Sequence, residues 1–141
     1  MHLPLDANER CGNNWEIARF LRLVQVKPAF NYHGNVIGVT GLASRTGEVT
    51  LGTQTFRLKK GERVGVCSGG AGDFAAAAKE LGCTVFVTGE ASWGDVIAAQ
   101  NAEASLVCCG HYETETFGVK AVAAVMEKEL GLDTVFVDSR L

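Results

Sequence analysis

The sequence predicts an α/β fold: a mostly parallel sheet with βαβ crossovers and a small antiparallel excursion. Three observations carry this. From residue 61 onward, short β-branched runs alternate with helix-like segments, the pattern of a parallel sheet. The runs are continuously apolar, as expected of strands covered on both faces. Between residues 30 and 58, Gly, Asn and Thr break up short β-like stretches, which marks the antiparallel excursion.

Residues 13–24 form the first helix candidate. Asn13 can cap it, Glu16 follows three residues later, and Ile17, Phe20, Leu21 and Val24 share one face. Val36 to Thr40 and Gln54 to Leu58 are short strands of the excursion. Arg63 to Cys67 is the first strand of the regular part. Ala71 to Leu81 reads as a helix stopped by Gly82. Thr84 to Thr88 is the next strand. Ser92 with Asp95 resembles a capping box and starts a helix over Trp93 to Asn101. Ser105 to Cys109 is the third strand. The following helix runs to Gly131, with Val122, Val125, Met126 and Leu130 as its buried stripe. Thr134 to Asp138 is a fourth strand. The 141 residues make one domain in three segments: 1–24, an irregular β segment 25–60, and a βαβαβαβ segment 61–141.

Composition narrows the function. Apolar residues are 47% and charged residues 21%, ordinary globular values that argue against disorder. The net charge of −3 and the lack of a basic run argue against nucleic acid as a partner. No apolar run approaches a membrane span, and the start MHLPLDANER lacks the cationic and apolar regions of a signal peptide. The five cysteines, Cys11, Cys67, Cys83, Cys108 and Cys109, contain no C-x-x-C. They suit buried thiols in a reducing, cytoplasmic setting.

The most informative run is GHYETE, Gly110 to Glu115, at the junction of the third strand and its helix. His111 and Glu115 are four apart, which stacks them on one helical face and lets both reach one cation. In a parallel sheet the segments after each strand gather at one edge. That rule brings Ser68, Asp73, Glu90, His111, Glu115 and, after the last strand, Asp138 together. The glycine-rich loop Ser68, Gly69, Gly70 precedes a helix and can present amides to an anion, although it has neither the G-x-G-x-x-G pattern nor a P-loop lysine. A tight turn of small residues explains it equally well. At the amino terminus His2 and Asp6 repeat the spacing of four, with Pro4 expected to prevent a helix between them.

Four motifs in order then carry a resemblance: HLPLDA followed by GNN (Gly12 to Asn14), CSGGAG (Cys67 to Gly72), VTGE (Val87 to Glu90) and GHYETE. The chain resembles the dinuclear metal-centre proteins related to the yeast Ngg-interacting factor three, whose bacterial members are often labelled GTP cyclohydrolase 1 type 2 homologs. The resemblance implies an α/β fold in a toroidal hexamer, with metals held by His and carboxylate ligands facing a central cavity. It places metal ligands at Asp6, His111 and Glu115. His2 is a ligand or neighbour of a ligand, and Glu90 and the Ser68–Gly70 loop line the site. Family members carry an upstream strand–helix region with a paired His-His motif. Here the histidines are His2, His33 and His111, so the resemblance implies a C-terminal portion, a truncated reading frame or a shortened relative, with one or two ions expected.

Imidazole and carboxylate without thiolate suit Fe, Mn or Zn. The expected activity is metal-dependent hydrolysis of a nucleotide-like or phosphorylated small molecule, with Glu90 as base or as a carboxylate behind the ligands. The alternative from another class is a non-catalytic metal-binding or scaffold protein that forms a ring-shaped oligomer.

Overall fold

A computed structural model describes residues 3–140. Its elements are α1 (Leu3–Ala7), α2 (Asn13–Phe20), β1 (Leu23–Tyr32), β2 (Asn35–Ala43), β3 (Gly47–Leu51), β4 (Gln54–Leu58) and β5 (Arg63–Cys67). A 3-10 turn (Gly72–Phe74) leads into α3 (Ala75–Glu80), followed by β6 (Val85–Thr88), α4 (Trp93–Asn101), β7 (Leu106–Cys108) and α5 (His111–Leu130). The central sheet has the order β1-β2-β5-β6-β7, and β3 pairs with β4 in a separate two-stranded sheet. The ladders β5–β6 and β6–β7 are parallel, joined through α3 and α4, as the alternation predicts. β1 and β2 extend the sheet antiparallel.

Side-chain alternation builds three layers. Val64, Val66, Val85 and Val87 face one cluster with Ile17, Ala18 and Leu21 from the α2 region and Leu51 and Leu58 of the hairpin. Phe86 and Cys67 face the other cluster, with Ala75, Ala78 and Ala99 of α3 and α4. Val64, Val66 and Val87 are fully buried, each contributing about 1.5–3 kcal/mol, so β5 and β6 anchor the fold that carries their loops. The capping box forms: Ser92 N–H donates to Asp95 Oδ2 at 2.8 Å, and Asp95 N–H to Ser92 Oγ at 3.2 Å.

Four expectations need correction. Residues 23–24 belong to β1, and α2 ends at Phe20 with Gly12 rather than Asn13 at the N-cap. β1 tolerates Pro28 because it is an edge strand with a bulge between Val24 and Lys27. Pro4 lies in the first turn of α1, where no N–H is needed from it, so it does not exclude a helix. The stripe on α5 is not buried: Met126 and Leu130 are exposed, and the buried residues are Thr114, Thr116 and Gly118. The buried residues of α5 all lie in its first half. Finally, 134–138 is not a strand. This segment folds back along α5, with Lys120 over the Phe136 ring and the Tyr112 hydroxyl donating to Asp138 Oδ1 at 2.9 Å. Among the described residues no helix is long and apolar enough to cross a membrane.

Candidate metal centre

The ends of β5, β6 and β7 are tied to one another by their own backbone. Gly69 O accepts from Gly89 N–H and Glu90 N–H, both at 2.9 Å, and Gly89 O accepts from Gly110 N–H at 2.8 Å. Two buried threonines complete the junction. Thr88 donates to Gly69 O at 3.1 Å, and Thr114 on α5 accepts from Gly69 N–H at 3.0 Å. Three loops far apart in sequence thus become one rigid edge, where the topology places a ligand.

His111 is the first residue of α5 and Glu115 stands one turn later. Their facing atoms, Nε2 and Oε1, are 3.3 Å apart. The other imidazole nitrogen, Nδ1, is 2.8 Å from Glu90 Oε1. The hydrogen bond to Glu90 is the main reason His111 holds its proton above the ordinary histidine range. Burial opposes this, and the charges of Glu115 and Glu90 add to it. Gly69 sits at φ 69°, and a Cβ there would meet Glu115 Oε1 at 2.5 Å and His111 Nε2 at 3.3 Å. Only glycine lets the loop lie this close to the pair.

Asp6 comes from α1 on the opposite side. It is buried, and its Oδ1 accepts from Asn13 Nδ2 at 2.8 Å and Ser68 Oγ at 3.2 Å. Asn13 Oδ1 in turn accepts from Gly118 N–H at 2.6 Å, which links Asp6 to the helix that carries His111. Asn14, fully buried, donates to Ile37 O at 2.7 Å and Asp6 O at 3.3 Å and accepts from Ser68 N–H at 2.7 Å. These asparagines hold α1 against the β5 loop. Sequence reasoning finds Asn13 only as a helix cap; the GNN run is the signal for the rest.

A cavity of about 360 Å³ brings Asp6, Ser68, Gly70, Asp73, His111 and Glu115 onto one wall system, with Tyr32, Ile37, Ala71 and Phe74 completing it. Glu90 stands behind His111 rather than on the cavity. Asp138 is not at this edge: it pairs with Arg140, whose guanidinium holds its carboxyl well below the usual range, and it lines a different depression with Tyr112 and Glu113. His2 lies outside the described residues. In the Ser68–Gly70 loop, the amides of Ser68 and Gly69 are engaged by Asn14 and Thr114. The Ser68 hydroxyl already donates to Asp6 Oδ1, and Ser68 and Gly70 line the cavity.

The donor chemistry fits a borderline divalent cation: imidazole and carboxylates, without thiolate, face one cavity. His111 backed by a carboxylate is the usual arrangement of a metal-binding imidazole. Among the described residues, no three His, Cys, Asp or Glu side chains are gathered as a complete set of ligands. His111 and Glu115 are the pair that stands ready; water or substrate oxygens would supply further positions.

Fold and site together define an α/β protein with a histidine- and acid-lined cavity at the carboxyl ends of its parallel strands. The chain belongs to the Duf34/NIF3 (NGG1p interacting factor 3) family, whose model matches residues 1–140. It is 34% identical over 153 residues to a Pyrococcus horikoshii protein named GTP cyclohydrolase 1 type 2 homolog, covering 99% of this chain and 61% of the relative. A Deinococcus radiodurans protein of the same name is 36% identical over 154 residues, covering 97% and 57%. Among solved structures, the protein TTHA1606 from Thermus thermophilus superposes with a TM-score of 0.67 at 29% identity, covering 99% of this chain and 60% of that one. The protein ybgI, described as of unknown function, gives 0.76 at 24% identity with coverage of 99% and 60%, a likeness of fold. The chain therefore spans about 60% of the length of the relatives it matches. Their shared name states homology and demonstrates no reaction.

Proposed function

We propose that the cavity binds a divalent cation (Fe, Mn or Zn) through His111 and Glu115, with Asp6 on the facing wall, and that the site hydrolyses a nucleotide-like or phosphorylated substrate. The observation that carries this reading is the Glu90–His111–Glu115 chain of contacts. Glu90 holds Nδ1, which fixes the ring and aims Nε2 at Glu115 and the cavity. The charge balance points the same way. Asp6, Asp73 and Glu115 would repel a phosphoryl group from this wall unless a cation lay between them. A divalent ion held there would supply an acidified water and would neutralise charge on the phosphoryl oxygens.

The chain's own residues orient and position. Asn13 and Ser68 keep Asp6 Oδ1 in place, Thr114 fixes the Gly69 turn beside Glu115, and Glu90 keeps His111 in one orientation. The test is hydrolysis of GTP and generic phosphodiesters by metal-loaded protein. Turnover abolished in Glu115→Ala supports the hydrolase. Stoichiometric metal without turnover on any of these compounds supports the non-catalytic alternative. That reading draws on the paired His-His motif of the resemblance, which this sequence does not contain. The proposal extends to a homo-oligomer, the hexamer implied by the resemblance; exposed Met126, Leu130, Val135 and Val137 are surface that such an assembly would cover. Sizing of the purified protein tests it, and a monomer at micromolar concentration would contradict it.

A further inference from the structure

The cavity has a lining of two unlike kinds. His111, Glu115, Asp6, Ser68 and Asp73 supply its polar lining, whereas Tyr32, Ile37, Ala71 and Phe74 supply its apolar lining. The metal reading uses only the first. The second contains two aromatic rings, and one of them is unusual in its placement. Tyr32 ends β1 at the tip of the β1–β2 hairpin, where an exposed aromatic ring has no core to serve; it is 41% exposed.

The tip is rigidly built. His33 and Gly34 both have positive φ, 49° and 85°, the pattern of a two-residue type I′ hairpin turn. Gly34 N–H donates to Asn31 Oδ1 at 2.9 Å, and the ring of His33 meets Tyr32 edge-on at 4.4 Å between centroids. Phe74, in the 3-10 turn after the β5 loop, is braced by Phe30 at 5.6 Å between centroids. Both rings line the same cavity and are braced in advance by their neighbours, so a ligand that uses them loses little in ordering them.

Resting on the metal reading of the polar wall, we infer that Tyr32, Ile37 and Phe74 form a stacking wall for the planar ring of the substrate, whose phosphoryl end lies against His111 and Glu115. The substrate class is then a heterocyclic ring carrying a phosphoryl group, rather than a simple phosphorylated sugar or a bare phosphodiester. Stacking on an aromatic ring tolerates many bases because every base has a π-face, so the wall selects for a ring and not for one ring. The cavity volume, about 360 Å³, is within the range of small-ligand pockets.

The test compares calorimetric binding of the common nucleoside 5′-monophosphates and of ribose 5-phosphate to the manganese-loaded protein. The ring-bearing compounds bind more tightly than ribose 5-phosphate. In Tyr32→Ala that preference falls about ten-fold, the size of losing one base–aromatic stack. Ribose 5-phosphate binding and manganese content stay unchanged, and Tyr32→Phe keeps the preference. Equal binding with and without a ring, or a preference that survives Tyr32→Ala, overturns the inference. Failure of the metal reading shows separately, as absence of bound manganese. In that event, chemical-shift titration of metal-free protein with adenosine decides. Binding lost in Tyr32→Ala and kept in Tyr32→Phe supports the wall, and no binding overturns it.

Discussion

The imidazole Nδ1 of His111 lies 2.8 Å from Oε1 of Glu90, a residue from the loop of a neighbouring strand. Nothing in the spacing of one helix would produce this relationship; it exists because β6 and β7 run parallel and end together. Removing the carboxylate frees the ring to rotate away from Glu115. Glu90→Ala is expected to weaken metal binding about 10–100-fold, the usual effect of losing such a partner, with no change in fold. Calorimetric titration with manganese, paired with circular dichroism, measures both.

The same hydrogen bond sets a pH dependence. His111 would bind a cation only as neutral imidazole, and Glu90 and Glu115 raise its pKa above the ordinary value. Protons therefore compete with metal from above pH ~6.5 downward, and apparent affinity falls steadily as pH drops through this raised pKa. In Glu90→Gln the fall moves to lower pH. In metal-free protein the sign for stability is opposite. The ion pairs of protonated His111 contribute fully below about pH 6.5 and are lost as pH rises through the raised pKa. That contribution is small, because His111 is 43% exposed and solvent screens it. Following the His111 ring proton by NMR across pH, with and without metal, checks both directions.

Asn14 joins three pieces of backbone that are far apart in sequence: Asp6 O, Ile37 O and Ser68 N–H. Asn14→Ala leaves these groups buried without that partner, at about 1–3 kcal/mol for each group left unsatisfied. A loss of about 3 kcal/mol in urea unfolding is expected from such a network. Metal binding weakens with it, since α1 carries Asp6. A loss below about 0.5 kcal/mol, the size of an ordinary surface substitution, would show that α1 is held by other means.

The thiols divide by environment. Burial pushes Cys67 up to about 12, with Asp6 and Asp73 adding to it, and burial pushes Cys109 up to about 12 as well, with Cys108 adding. Only the thiolate reacts, so both are expected to resist alkylation in the native protein at mildly alkaline pH. Half-buried Cys11 should label first. Mass spectrometry of peptides after brief iodoacetamide treatment reads the order directly.

The regular half of the fold was legible because local signals and tertiary context agree there. Arg63–Cys67, Trp93–Asn101 and Gln54–Leu58 have the bounds their sequence suggests. The length of β1 was hidden because its register is set by β2 across a hairpin, and Pro28 reads as a breaker unless the strand is known to be an edge. The stripe on α5 and the strand pattern at 134–138 failed for one reason: periodicity reports what a segment can bury, not whether a surface is present to receive it. At the candidate site, the i, i+4 spacing foretold that His111 and Glu115 stand side by side. Topology added Glu90 and Ser68, and wrongly added Asp138 through the strand that does not form. The roles of Asn13 and Asn14 depend on contacts between residues far apart in sequence, which spacing does not encode.

The most direct measurement is metal content by inductively coupled plasma mass spectrometry, comparing wild type with His111→Ala after identical purification. Close to one divalent ion or more per chain is expected in the wild type and its loss in His111→Ala, with both proteins folded. A well-folded wild type without metal, or equal metal in both proteins, would contradict the metal reading.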